Sequence, residues 1–338
     1  MNNKKRLKNF KKLNTQTLLS QVIAFQKSKV SPNIILVLVL MLVCAVMAII
    51  NPIFLSTANA IIILTEFSVI FVLGIGETFP ILMGGIDLSV AGVATLSTMA
   101  VLQLLNLGLG YLAFPIAVAI GAGMGFLTGV IHVKGKLPSF LVSLGTMGIS
   151  MGIAYTLCHG MPLNMSPEQL HYREWVIGSF FGVPNIILNA FIVFFICFFL
   201  ERYTRFGRYI KAIGAGEKVA RLSGVPVDKY KILGFALCGA CAGLAGILLT
   251  MRLSVGSPRS AEPMLLTAIA VVVLGGTSIT GGIGGVPRTL IGALIISVIR
   301  NGMTIGDIGV FYQQIIEGII VIAAVAGTLD RSKIPIIK

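Results

Sequence analysis

The chain has 338 residues, 56% of them hydrophobic and only 11% charged, with a net charge of +14 and a mean hydropathy of +0.96. A soluble globular domain carries about 45–50% apolar and about 25% charged residues, so this composition excludes one and points to a membrane protein. The basic excess suggests nucleic acid only until its distribution along the chain is read.

In chain order, residues 1–31 hold a basic cluster (Lys4, Lys5, Arg6, Lys8, Lys11, Lys12) followed by a polar stretch from Asn14 to Gln21. No small-residue cleavage pattern follows, so the segment reads as an orientation signal in contact with the lipid surface, not a removable leader. Ten apolar segments come next, at about 34–50, 60–82, 90–107, 111–131, 139–157, 186–200, 232–251, 264–280, 286–302 and 311–328. The spacing of Arg288 and Arg300 leaves eleven residues between them, about 16 Å of helix, so the region of the eighth and ninth segments reads as re-entrant or broken. The organisation expected is a basic N-terminal segment (1–31), one transmembrane domain (32–330) and a short tail (331–338).

Ten alternating spans with the N-terminus inside place 22 of the 26 Lys and Arg on one side. Only Arg173, Arg252, Arg259 and Arg300 remain outside, the asymmetry that the positive-inside rule requires. Topology thus accounts for the basicity, and both termini are expected in the cytoplasm. The same side carries the loop from Glu201 to Lys231, with eight Lys/Arg against three acids in 31 residues. So much charge in one interior loop suggests a surface that a soluble partner grips.

Glycines recur at helical spacing. Gly121, Gly125 and Gly129 mark the fourth segment; Gly239, Gly243 and Gly246 mark the seventh. Small residues on one stripe let helix backbones approach closely in lipid. Met83–Ser89 (MGGIDLS) and Leu274–Thr280 (LGGTSIT) form a weak internal echo 191 residues apart, and glycine-interrupted segments in two halves of a chain point to a transport pathway. Three acids lie within spans: Glu66 and Glu77, eleven residues apart and so on one face of their helix, and Glu317. Two readings stand for them, the lining of a solute path or interhelical hydrogen bonding.

Other chemistry is lacking in the sequence. The five cysteines fall in or at the ends of spans, and the single Cys238–Cys241 CxxC has neither a second pair nor a nearby histidine. The three histidines make no HxxxH pair; no GxxxxGK[ST] loop and no GxSxG elbow occurs. No cofactor or metal site is expected.

Three segments carry a resemblance. Phe79–Val90 (FPILMGGIDLSV), Ala220–Val225 (ARLSGV) and Ala270–Gly282 (AVVVLGGTSITGG), with Arg300–Met303 and Tyr312–Gln314, resemble the ribose-type permeases of bacterial ABC importers, in order over residues 34 to 330. The resemblance implies an all-α polytopic bundle of about ten transmembrane helices with a cytoplasmic coupling helix, in the bacterial inner membrane. It also implies the partners: a cytoplasmic ATPase that binds ATP and Mg, an extracytoplasmic sugar-binding protein, and a second or sister permease. The solute implied is a monosaccharide. Val219-Ala-Arg-Leu-Ser-Gly224 resembles the importers' ATPase-contact motif, with Ala220 and Gly224 four apart on one helical face, Gly224-Val-Pro226 ending the helix, and Lys218 and Arg221 available to partner acids. Gly84, Gly85, Asp87, Gly275, Gly276 and Thr277 are expected near a gate or pathway, with Asp87 alternatively capping the helix that starts near Leu88. Arg173, Arg252 and Arg259 are expected in outer loops, where cations steer docking of the binding protein.

The sequence departs from the family pattern at Val219, at Glu217-Lys218, and at Thr267, where an acid is usual. A different class also fits the acids: a proton- or sodium-coupled carrier using Glu66, Glu77 and Glu317.

Overall fold

The computed structural model describes residues 32–328. The basic N-terminal segment and the C-terminal tail lie outside the described residues. Ten apolar helices make up the bundle: α1 Pro32–Ile50, α2 Thr57–Leu82, α3 Ser89–Asn106, α4 Ala113–Gly135, α5 Ser139–Cys158, α7 Asn185–Tyr203, α10 Val227–Leu253, α11 Met264–Leu274, α12 Val286–Ile305 and α13 Val310–Thr328. Three short helices connect them: α6 Glu174–Ile177, α8 Arg205–Ala215 and α9 Glu217–Leu222. Seven of the ten are long and apolar enough to cross a membrane; α1 and α13 contribute apolar stretches of 17 residues, Ile34–Ile50 and Val310–Ala326.

α11 is the exception. Its eleven residues rise about 16 Å, half of a hydrocarbon core of about 30 Å. The remaining distance is covered by the irregular glycine-rich segment 275–285. The break expected in this region therefore falls in the eighth segment alone, and the ninth is an unbroken helix. The two arginines that put the ninth in question, Arg288 in its first turn and Arg300 before its last, fold onto partners. Arg288 Nη1 donates to Gly276 O at 2.9 Å, and Arg300 Nε lies 2.7 Å from Glu317 Oε1.

α2, α3 and α10 form the centre, with 61%, 83% and 67% of their apolar windows buried, whereas α4, α5 and α7 are 28% buried and present their outer faces to lipid. α10 packs most extensively on α4, then on α2 and α3. The two glycine stripes meet face to face. A Cβ on Gly121 or Gly125 would run into the Gly239 or Phe235 carbonyl, and one on Gly239 into the Gly121 carbonyl. Gly246, one turn on, instead abuts the Ala94 carbonyl of α3. Polar clamps complete the bundle: Asn59 and Asn301 exchange side-chain hydrogen bonds at 3.0 and 2.8 Å, and the Thr78 and Thr289 hydroxyls meet at 2.7 Å. Both join α2 to α12 where lipid offers no hydrophobic incentive for association. α2 starts at Ser56, whose Oγ accepts from Asn59 N at 3.2 Å.

Two small antiparallel pairs lie at one end, with the 3₁₀ segment Pro167–Arg173. β1 (Leu163–Asn164) pairs with β4 (Val255–Gly256) and ties the α5–α6 loop to the end of α10. β2 (Ser179–Phe180) and β3 (Val183–Pro184) form a hairpin turned by Phe181 and Gly182, both at positive φ. The charge distribution makes this the expected outer end, so called below; the α8–α9 segment and the loops at 83–88, 136–138 and 275–285 gather at the other, the expected inner end.

The stripe geometry gives a direct test. Gly125→Leu should destabilise the detergent-solubilised protein by about 3 kcal/mol through overpacking, read as a fall in thermal midpoint. Gly123→Leu, where a Cβ meets nothing within 4 Å, should change stability by no more than about 0.5 kcal/mol.

Candidate functional site: the inner-end platform

The inner end is organised around Glu201, the last-turn acid of α7 and a buried residue. Its Oε2 accepts from Val286 N at 2.6 Å, and its Oε1 lies 2.6 Å from Lys211 Nζ of α8. A carboxylate at the start of α12 satisfies an orphan amide and complements the helix dipole. One side chain thus joins α7, α8 and α12. Sequence reasoning counted Glu201 among the loop acids without assigning it this position. A lone acid where an apolar span meets a basic loop was the available signal.

α8 lies against this junction as an amphipathic helix. Gly207, Ile210 and Ile213 are buried, whereas Arg205 and Arg208 face solvent. At its far end Gly214 sits where a Cβ would strike Leu82 O and Gly282 N, and Gly282 N itself donates to Leu82 O at 2.9 Å. The two glycine-interrupted segments therefore meet here: a Cβ on Gly84 would face Thr280 O at 3.2 Å, and one on Gly281 would fall 2.8 Å from Gly84 N. Gly84 (φ +78°) and Gly276 (φ +81°) each occupy left-handed backbone that glycine accepts without strain. α2 and α11 both end at these segments and α3 and α12 both restart from them, so the two run in the same sense.

The expected pathway residues separate into four places. Gly84 and Gly85 line a cleft of about 320 Å³ with His132, Ser139, Glu217 and Lys231. Thr277 is buried and closes the 275–285 loop, its Oγ1 accepting from Gly285 N at 3.2 Å, while Gly275 packs on the Arg288 carbonyl. Glu77 and Asp87 are buried between α2, α3 and α10: Glu77 Oε1 accepts from Asp87 N at 3.0 Å, and Cys238 Sγ lies 3.7 Å from Glu77 Oε2. Asp87 Oδ1 accepts from Ser89 N at 2.9 Å and from Ser89 Oγ at 2.5 Å, so this carboxylate holds the first turn of α3 from one position before the N-cap, Leu88. Glu66 is at the opposite end, 3.6 Å from Arg252 Nη2.

The expected contact residues lie on α9 and in the turn that ends it. The helix has only six residues and ends at Leu222. Val225 N donates to Ala220 O and Gly224 N to Arg221 O, both at 3.1 Å, with Gly224 at φ +81°. That is a Schellman termination, so Gly224 is a helix stop and not a second small residue on the helix face. Ala220 is 5% exposed and packs inward; Val219 at 68% and Leu222 at 83% are the apolar side chains presented outward. Arg221 is already paired within the chain, at 3.3 Å to Glu217 and 2.6 Å to Asp228, and Glu217 also holds Lys231 at 2.6 Å. Lys218 is exposed and makes no ion pair among the described residues.

Of the three cations expected in outer loops, Arg173 and Arg259 lie in loops and Arg252 does not. Arg252 lies in the last turn of α10, paired with Glu66, and not in the following loop. Arg173 donates to the Ser254 hydroxyl and so ties the α5–α6 loop to the end of α10. Arg259 alone of the three is exposed in a loop, donating to Tyr155 Oη at 3.1 Å. Glu317 accepts from Thr267 Oγ1 at 2.9 Å besides pairing with Arg300. A carboxylate thus stands opposite position 267, supplied by α13. Glu66 and Glu317 each face an arginine, whereas Glu77 faces no cation among the described residues. All five cysteines are free thiols, and among the described residues no three His, Cys, Asp or Glu gather as metal ligands.

A family profile described as the permease component of a branched-chain amino acid transport system matches residues 59–325. The chain is 37% identical over 289 residues to the ribose import permease of Escherichia coli K12, covering 85% of this chain and 90% of that one. It is 36% identical to the Bacillus subtilis ribose import permease over 87% and 91% of the two chains. Identity to the D-allose transport permease of Escherichia coli K12 is 36%, over 82% and 85%. No solved structure matches.

Two tests follow from the geometry. Glu201→Ala removes two charge-assisted partners and should cost about 2 kcal/mol of stability, measured as a shifted melting curve in detergent. The Glu217 carboxyl is pushed up by its partial burial, but hydrogen bonds and charge from Lys231 and then Arg221 outweigh this and hold it below the usual carboxylate value near 4.5. A depressed folded-state value stabilises above the unfolded one and is lost as pH falls through the folded one. Hydrogen-exchange protection of residues 217–222, corrected for intrinsic rate, should therefore persist to below pH 4.5 and then drop. Glu217→Gln should start less protected and lack that step.

Proposed function

The chain belongs to the ABC-importer permease family, within which its relatives carry sugars, and on that premise we propose that it is the membrane subunit of a binding-protein-dependent importer for a monosaccharide. Transport proceeds by alternating access, driven by a separate ATPase that binds ATP and Mg; this chain performs no covalent chemistry. The relatives named for ribose and D-allose support a ribose-like furanose or pyranose as solute. The positive-inside distribution supports a multi-pass inner-membrane protein with both termini in the cytoplasm. A second permease copy or a sister permease completes the membrane unit.

The observation that carries the reading is the inner-end junction. α9 offers Val219, Leu222 and Lys218 to a partner, and α8 behind it is joined to α7 and, through Glu201, to α12, and packs by Gly214 on the end of α2 and on the 275–285 segment. Force applied to α9 by a closing ATPase pair reaches the glycine-interrupted segments without passing through a flexible linker. Gly84 and Gly85, at the mouth of the inner cleft, are the backbone that yields as the gate opens, and Gly275, Gly276 and Thr277 form the matching hinge beyond α11. At the outer end, Arg259 steers an acidic lobe of the binding protein.

Reconstitution in proteoliposomes with the ATPase and binding protein tests this. Wild type should take up monosaccharide only with ATP and binding protein present. Val219→Asp with Leu222→Asp should lower uptake by at least about tenfold, the effect of losing ~1.4 kcal/mol of docking energy, with normal membrane insertion. Uptake that follows a proton or sodium gradient without ATP overturns the reading.

A further inference from the structure

At the end opposite the platform, α2, α10, α11, α12 and α13 surround a cavity of about 430 Å³. Its volume lies in the range of small-molecule sites, about 300–1,000 Å³. Its walls are unusual for the interior of a membrane bundle. Arg252 and Arg300 supply two cations, Glu66 and Asp307 two anions, and Thr304 and Gln313 neutral polar groups. Charged side chains are costly at membrane depth, face the bundle interior and mark solute pathways.

Several of these groups retain unused hydrogen-bonding capacity. Glu66 and Arg252 stand 3.6 Å apart, too far for a hydrogen bond and loose enough to exchange for a solute hydroxyl. Asp307 pairs with no cation among the described residues. It occupies φ +56° in the α12–α13 turn, a conformation that acidic and amide side chains tolerate. Gln313 Nε2 donates to Ile308 O at 2.8 Å and to Thr304 Oγ1 at 3.3 Å, while its Oε1 accepts from no group among the described residues. Arg300 is held from behind by Glu317, itself anchored by Thr267, so one edge of the guanidinium is fixed while the rest remains free to donate.

We propose that this cavity is an entry subsite that receives a neutral monosaccharide released at the outer face. Each sugar hydroxyl both donates and accepts. A wall that alternates carboxylates with guanidinium groups meets both needs, and two cations against two anions leave no net charge to attract an ionic solute. α12 lines the cavity with Arg300 and Thr304 and meets Glu201 at its first residue, Val286, so occupancy and coupling act on the same helix. The proposal rests on the importer reading and adds to it a place and a recognition chemistry.

The experiment uses the reconstituted complex of permease, ATPase and binding protein, with D-ribose, D-allose and L-arabinose as probes. Asp307→Gly deletes the carboxylate and leaves a residue suited to positive φ; Glu66→Gln keeps shape and removes charge. For the sugar that wild type imports, each variant should raise the KM of uptake about tenfold with little change in maximal rate, the pattern of lost solute binding. Elution as a monodisperse complex in detergent establishes that each variant folds. As a binding readout independent of turnover, maleimide labelling of Thr304→Cys should slow when that sugar is present. Wild-type import with unchanged KM in both folded variants and no sugar protection at position 304 overturns the subsite and leaves the importer reading intact. Failure of wild type to import any of the three sugars removes both.

Discussion

The rest of the structure depends on the close approach of α4 and α10. Lipid is as apolar as the side chains it solvates, so helices in it gain little from apolar contact alone and associate through backbone proximity and polar clamps. Gly121 and Gly125 on α4 and Gly239 and Gly243 on α10 remove every Cβ that would hold the two backbones apart. With α10 seated on α4, its other faces are set against α2 and α3, and Gly246 brings the α3 backbone into contact. The central helices then have fixed ends, and those ends carry the chemistry.

At the inner end the dominant demand is satisfaction of backbone polar groups. The 275–285 segment is irregular, and irregular backbone survives at membrane depth only where protein or water meets its hydrogen bonds. Arg288 covers Gly276 O, Thr277 covers Gly285 N, Glu201 covers Val286 N and Leu82 O covers Gly282 N. Because two of these partners come from α2 and α7, satisfying the loop also fastens separate helices to one another and to α8. The outer end follows a different rule. There, charged side chains pair across helices, and the pairs leave a polar cavity between them.

Much of this was legible in the chain. The glycine stripes announced their packing, because spacing of four residues has one meaning on a helix in lipid. The charge asymmetry separated the two ends, and the MGGIDLS and LGGTSIT segments marked places where helices stop. Less legible was anything set by the direction of a side chain. Ala220 and Gly224 have the spacing of one helical face, but the helix ends between them, and the hydrogen bonds that end it turn Gly224 into a stop and expose Val219 and Leu222 instead. Arg252, expected in an outer loop, lies in the last turn of α10 and pairs across helices with Glu66, and Arg173, in its expected loop, binds the Ser254 hydroxyl.

Thr267 shows the boundary most clearly. Read along the chain, it is a neutral residue in place of an acid; in the fold its hydroxyl donates to the carboxylate of Glu317, fifty residues away. The sequence by itself determined the class of molecule, the helices, the two faces and the family, because apolar length, glycine spacing and charge sidedness act locally along a chain. Only the tertiary structure decided that Glu201 is the junction of three helices, that α11 stops after eleven residues, and which acids face arginines. Those outcomes depend on hydrogen bonds and ion pairs between residues far apart in sequence, and no local pattern encodes which partner a buried polar group will meet.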